Sequence, residues 1–182
     1  MSHAPTKAEA ACRRVLELKP DSLLVRHQLA QLYQSHGNDA EALREYRTLV
    51  EQQPDHVEGL WQLADLLVEG GGSEAEAERY LKAALAADSQ SVPALQSMAR
   101  LEEKRGHHGA AIEHLLAILI LAPDDYPVHQ ELGKLYLETG QKEQARAAFE
   151  SYQRAARRER MRQIAQERAG KMMETMLEKG DQ

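Results

Sequence analysis

Small and large apolar residues alternate with polar ones in a pattern that predicts paired helices. Within residues 126–157, Gly133 lies on the apolar stripe of one helix, and Ala145 and Phe149, four apart, lie on the stripe of a second. Gly140 stands between the two stripes, where a glycine is suited to end a helix. The pattern therefore predicts a helical hairpin. Such a hairpin has apolar faces that it cannot bury alone, so it needs neighbours.

The same pattern recurs in register through three earlier units, at a period of 34 or 35 residues. The turn glycine is repeated as Gly37, Gly71, Gly106 and Gly140. The small residue of the first helix is Ala30, Ala64, Ala99 and Gly133, and that of the second is Ala42, Ala77, Ala111 and Ala145. The large apolar residue that follows is Tyr46, Leu81, Leu115 and Phe149. Four stacked hairpins would bury these faces against one another.

This period and these positions resemble the tetratricopeptide repeat. The resemblance covers about residues 5–157, because Thr6 to Lys19 match a second helix without its partner. It implies an all-α fold: a right-handed superhelix of four helix pairs, with a leading half-repeat helix and a C-terminal capping or extension helix. The predicted segments are an N-terminal helix (1–22), repeats at 23–56, 57–91, 92–125 and 126–157, and a basic, Met-rich C-terminal helix (158–182).

The two ends of the array leave alternatives open. The N-terminal helix is either a cap or part of a longer array. After Arg157 no residue breaks the helical pattern, so the second helix of the last repeat is expected to run on or to bend once there. The predicted apolar stripe of this extension is Met161, Ala165, Ala169, Met172 and Met176. Such a helix covers the open end of the array, joins two copies of the chain, or lies on a membrane or nucleic-acid surface.

Charge is distributed unevenly. The chain has a net charge of −6, of which residues 1–153 carry −9 and residues 154–182 carry +3. An acidic repeat region argues against nucleic acid as the main ligand, because phosphate contacts supply most of that affinity. No apolar run has the length needed to span a bilayer, and we predict a cytoplasmic protein. The single cysteine, Cys12, excludes an internal disulfide and is expected to be buried.

The sequence offers no convincing catalytic or metal-binding set. His107 and His108 are adjacent in a predicted turn, and His114 is six residues further on, a spacing that does not place two ligands on one helical face. The carboxylates fall mostly on polar faces. We therefore predict that the protein is not an enzyme and needs no cofactor or metal.

The resemblance implies that the first helices of the repeats line a concave groove for a protein segment. The groove-facing candidates are His27, Gln31, Trp61, Gln62, Asp65, Gln96, Arg100, Gln130 and Lys134. Glutamine amides donate and accept hydrogen bonds and so suit a peptide backbone. Trp61 offers a large anchor, while Arg100 and Lys134 are placed to hold an acidic group. The alternatives are that the glutamines are ordinary solvated surface and that Trp61 packs between repeats.

Recognition is therefore the predicted function. The chain is expected to be a protein–protein interaction scaffold that binds a peptide segment of a partner. One alternative is a structural scaffold that self-assembles through residues 158–182. Another is a small secretion or assembly chaperone, which suits the small, acidic and helical character of the chain.

Overall fold

The computed structural model describes residues 6–180, apart from the side chains of residue 165 and of residues 169–180. In this part of the chain there are nine α-helices and no strand, which confirms the all-α prediction. The helices are α1 (Lys7–Leu18), α2 (Leu23–Ser35), α3 (Asp39–Gln52), α4 (Val57–Glu69), α5 (Glu74–Ala87), α6 (Val92–Lys104), α7 (His108–Leu121), α8 (Tyr126–Glu138) and α9 (Lys142–Gly180). The predicted repeats would pair α2 with α3, α4 with α5, α6 with α7, and α8 with the first part of α9.

The four predicted turn glycines all lie between two helices of a pair. Gly37, Gly71, Gly106 and Gly140 have φ values of 70°, 69°, 77° and 75°. This left-handed region carries almost no steric penalty for glycine, and it lets the backbone reverse directly after a helix. Among the described residues, no residue other than glycine has a positive φ. The periodic glycines therefore mark the bends between consecutive helices.

The chain divides into two compact units, residues 1–114 and 115–182. In the first unit the repeated small and large positions form the core. Ala30, Ala42, Ala64 and Ala77 are fully buried, and so are Tyr46 and Leu81. The alanines allow close approach of the helices in each hairpin, and the large residues fill the space beside them. The core also takes in α1, because Cys12 and Leu16 pack against it.

An ion-pair network joins α5 to the end of α6 in the first unit. The Arg105 guanidinium lies 2.7 Å from Glu78, 3.4 Å from Glu74 and 3.6 Å from Glu102. Glu102 stands where other repeats have an apolar residue, so the sequence predicts either weak packing or a partner there. The partner is present, because the Glu102 carboxylate also lies 2.7 Å from His107 Nδ1.

This network predicts a defined loss of stability in acid. Hydrogen bonds from Lys82 and Arg105 lower the pKa of Glu78 from 4.5 to about 2. A lowered carboxyl pKa stabilises the fold above the unfolded value of 4.5, and this contribution is lost as the pH falls toward 2. The wild-type chain should therefore have a higher melting temperature than Glu78→Gln at pH 7, and this difference should narrow below pH 4.5. Thermal unfolding followed by circular dichroism measures the melting temperatures, and Glu103→Gln, at an exposed position, is the control. A difference that stays constant with pH would contradict the assignment.

The second unit contains α8 and the long α9. Leu132, Leu135 and Ala145 are buried in it, and Phe149 covers Gly133 closely. Helix α9 is continuous over 39 residues and passes Arg157 without ending. The last repeat helix therefore runs on, as one of the two predicted alternatives had it. Met161 is 60% exposed, while the predicted stripe residues Ala165, Ala169, Met172 and Met176 lie outside the described side chains.

Candidate peptide-binding surface

The predicted groove residues fall on the first helix of each hairpin. His27 and Gln31 are on α2, Trp61, Gln62 and Asp65 on α4, Gln96 and Arg100 on α6, and Gln130 and Lys134 on α8. The first seven belong to the unit of residues 1–114, and the last two to the unit of residues 115–182. Side-chain hydrogen bonds join α2 to α4 and α4 to α6. The structure thus assembles a surface in the first unit from three first helices.

His27 and Gln62 form a buried link between α2 and α4. His27 Nε2 lies 2.7 Å from Gln62 Oε1, and each residue is only 8% exposed. Because the amide oxygen accepts, the His27 Nε2–H must donate. The His27 ring also lies 5.9 Å from the Tyr46 ring and 5.4 Å from the His56 ring, centroid to centroid. These two candidates therefore hold the helices together beneath the surface.

Arg100 is engaged by carboxylates of the preceding repeat. Its Nη2 lies 2.7 Å from Asp65 Oδ2, and its Nη1 lies 3.5 Å from Glu69 Oε1. The side chain of Asp65 is only 14% exposed, whereas that of Arg100 is 49% exposed. The pairing neutralises the guanidinium, so Arg100 is less suited to hold an acidic group than its sequence position suggests. Lys134 is exposed on α8, in the other unit.

Trp61 lies on α4, the middle one of these three first helices. Its indole is half-buried and packs against the core, while Glu58 and Asp65 lie three residues before it and four after it on the same helix face. The Glu58 side chain is 52% exposed. Within residues 6–168, no side chain or carbonyl accepts a hydrogen bond from the indole N–H. The arrangement presents an aromatic face, a donor and carboxylates.

The predicted glutamines differ in exposure. Gln31 and Gln130 are exposed, and Gln96 is half-buried. Gln31 lines a cavity of about 490 Å³ between α1 and α2, together with Ala8, Cys12, Gln28, Leu32 and Ser35. Cys12, which lines this cavity, is half-buried, so the prediction that it is buried was wrong. The exposed amides have the donors and acceptors that an extended backbone needs.

The pKa shifts of two titratable groups away from this surface have local causes. The Glu9 carboxylate is buried, and its hydrogen bond with His36 holds its pKa below the ordinary value. Burial lowers the pKa of His114. Among the residues whose side chains are described, no three His, Cys, Asp or Glu residues converge as metal ligands do. None of the described helices is long and apolar enough to cross a membrane.

Two features of the molecule were not predicted from the sequence. One is the partnering of side chains one repeat apart: His27 with Gln62, and Asp65 with Arg100, are both 35 residues apart. Complementary residues separated by one repeat period were the signal that could have shown it. The other is the row of exposed arginines on α9, because the sequence indicated a basic C-terminal helix but did not single out these residues as a binding site.

Comparisons with known proteins agree with the fold. The family model of the tetratricopeptide repeat matches residues 1–67 and 104–167. The crystal structure of MamA is 18% identical with a TM-score of 0.78, over 84% of this chain and 89% of that chain. PilW, a widely conserved type IV pilus biogenesis factor, is 24% identical with a TM-score of 0.72, over 81% and 68%. YrrB, a repeat protein with an unusual peptide-binding site, is 16% identical with a TM-score of 0.68, over 81% and 75%.

No curated protein sequence matches the chain significantly. Solved structures below 25% identity show the fold alone, whereas the family model matches well over half of the residues. On these grounds the chain belongs to the tetratricopeptide repeat family.

Proposed function

We propose that this protein is an interaction scaffold that binds an extended segment of a partner protein on the Trp61 surface, formed by Gln31, Glu58, Trp61, Asp65 and Gln96. The observation that carries the proposal is Trp61 itself, half-buried with an indole N–H that has no acceptor among residues 6–168. A large aromatic side chain of this kind is typical of binding hot spots. Proteins of this family are typically scaffolds rather than enzymes.

The surface favours a partner segment that is neutral or basic. Asp65 and Glu69 outweigh Arg100, and Glu58 adds another carboxylate beside the indole. A lysine or arginine of the partner would lie over the Trp61 ring, where the π face attracts a cation, and would reach Glu58 as well. The glutamine amides would bind its backbone. The similar fold of YrrB, a protein with a peptide-binding site, supports peptide recognition as the general mode.

Trp61→Ala should abolish most of this binding. Arrayed twelve-residue peptides that bind the wild-type chain provide the probes, and the best of them is titrated by calorimetry. We expect the variant to lose about 2 kcal/mol, roughly 30-fold in affinity, if Trp61 is the hot spot. Circular dichroism should show unchanged helicity, because the indole is only half-buried.

Two controls separate recognition from packing. Trp61→Phe keeps an aromatic ring and removes the N–H donor, so it should bind more weakly than wild type and more tightly than Trp61→Ala. Leu18→Ala removes an apolar side chain that is 70% exposed on α1 and should leave binding unchanged. Equal affinity of Trp61→Ala and wild type would remove Trp61 from the binding site. Self-assembly through residues 158–182 and a chaperone role are the alternatives.

A further inference from the structure

One face of α9 carries a row of exposed arginines. Arg154, Arg157, Arg158, Met161 and Arg162 follow at helical spacings that place them on a single face, and all five are exposed. They line a cavity of about 610 Å³. An adjoining cavity of about 350 Å³ is lined by Glu150, Gln153, Arg154 and Arg157. We call this continuous feature the arginine groove.

The positive charge of the groove is only partly compensated. Arg158 lies 2.9 Å from Asp124, and Arg162 lies 3.6 Å from Glu159. Arg154 donates to Ser151 Oγ, a neutral group, at 3.0 Å. In the part of the chain with described side chains, neither Arg154 nor Arg157 has a carboxylate within ion-pair distance. The groove therefore holds guanidinium groups that are free to bind an anionic partner.

We propose that the arginine groove is a second docking site, which takes an acidic amphipathic helix of a partner protein. Guanidinium groups bind carboxylates with two parallel hydrogen bonds, and exposed arginines in a row suit repeated Asp or Glu. Met161, 60% exposed among them, offers a flexible apolar contact for a Leu or Ile of the same helix. From residue 150 to residue 162 the groove extends about 18 Å, or roughly three turns of a docked helix.

Other occupants match the groove less well. The groove is lined by no aromatic side chain on which a nucleic-acid base would stack. A second copy of this chain would have to offer its acidic first unit. Many carboxylates of that unit are already paired with its own arginines and lysines, among them Glu45, Asp65, Glu74, Glu76 and Glu78. A separate acidic helix supplies unpaired carboxylates.

The test is fluorescence anisotropy with the full chain and a labelled twelve-residue peptide made of three Glu-Glu-Leu-Leu blocks. We expect binding that weakens as salt is raised, because the contacts are exposed ion pairs. The double variant Arg154→Gln/Arg157→Gln should lose about tenfold in affinity, and the peptide with Gln in place of Glu should not bind measurably. Arg160→Gln, an exposed arginine on the same helix that lines neither cavity, should bind as wild type does.

Each other outcome overturns the proposal. If wild type and the double variant bind the peptide equally, the groove is not its site. If a twelve-nucleotide oligothymidine binds more tightly than the peptide and with the same arginine dependence, the groove is a nucleic-acid site. If the sedimentation coefficient of the chain alone rises with concentration, and the double variant stops that rise, the occupant is a second copy. None of these results bears on Trp61, so the two proposals fail separately.

Discussion

Tyr46→Ala is expected to destabilise the first unit by about 3–5 kcal/mol, the range measured when a large buried aromatic side chain is truncated. Tyr46 is fully buried and stands at the large-apolar position of the first repeat. Its ring lies against the buried His27, whose hydrogen bond to Gln62 joins α2 to α4. Truncation therefore leaves a cavity and also removes the support of a buried polar link.

The matched control is Tyr46→Phe. It keeps the ring and removes only the hydroxyl, whose hydrogen bond to Gln34 Oε1 is long at 3.4 Å, so the expected loss is about 1 kcal/mol or less. Trp61 is the single tryptophan and packs against the same core, so its fluorescence in urea reports the unfolding of this unit. Equal unfolding midpoints for the Ala and Phe variants would show that the ring contributes nothing to the core.

Much of the fold was predictable because stacked hairpins need the same turn and packing residues in every repeat, so these residues recur at a fixed period. Each turn glycine occupies a backbone conformation that other residues avoid, so its recurrence marked the bends. Ala42 and Tyr46 recur as a small and a large residue four apart, which only a helix places on one face. The length of α9 followed from the absence of any helix-breaking residue between Gln141 and Ala169.

The details of the surface were less predictable, because repeat position does not decide which partner a side chain chooses. Gln62 and Gln31 are both glutamines on first helices, yet Gln62 is buried against His27 and Gln31 is exposed. Asp65 and Arg100 were both expected to face a ligand, and the structure pairs them with each other, which the sequence analysis did not foresee. Stacking brings equivalent positions of successive helices together, so the chain's own next repeat competes with any partner for each polar group.

This competition distinguishes the two proposed sites. On the Trp61 surface, Arg100 already forms ion pairs with Asp65 and Glu69. An aromatic ring and excess negative charge remain for a neutral or basic segment. In the arginine groove, Arg154 and Arg157 have no carboxylate partner among the described side chains, which leaves positive charge for an acidic helix. Two surfaces of opposite preference on one chain are what a scaffold needs to hold two different partners.

Gly133→Ala is expected to destabilise the second unit by about 1–2 kcal/mol, although alanine is the better helix former. A Cβ at Gly133 would lie 2.7 Å from two ring atoms of Phe149, closer than real Cβ atoms approach. Overpacking of this kind typically costs about 1–3 kcal/mol, while the gain in helix propensity returns at most about 1 kcal/mol. Gly109→Ala is the control for an added methyl without a clash, since nothing lies within 4 Å of its Cβ position and the change should not destabilise the chain.

A double variant identifies the clash as the cause. Gly133→Ala/Phe149→Leu recreates the Ala–Leu combination that the second repeat has at Ala64 and Leu81, with the smaller side chain opposite the added methyl. We expect its loss to be smaller than the sum of the two single losses by about 1–2 kcal/mol, the range found for residues in direct contact. Hydrogen exchange of peptides from α8 and α9 measures the loss of stability in the two single variants and in the double variant. Strict additivity would show that contact with the Phe149 ring is not the cause of the destabilisation.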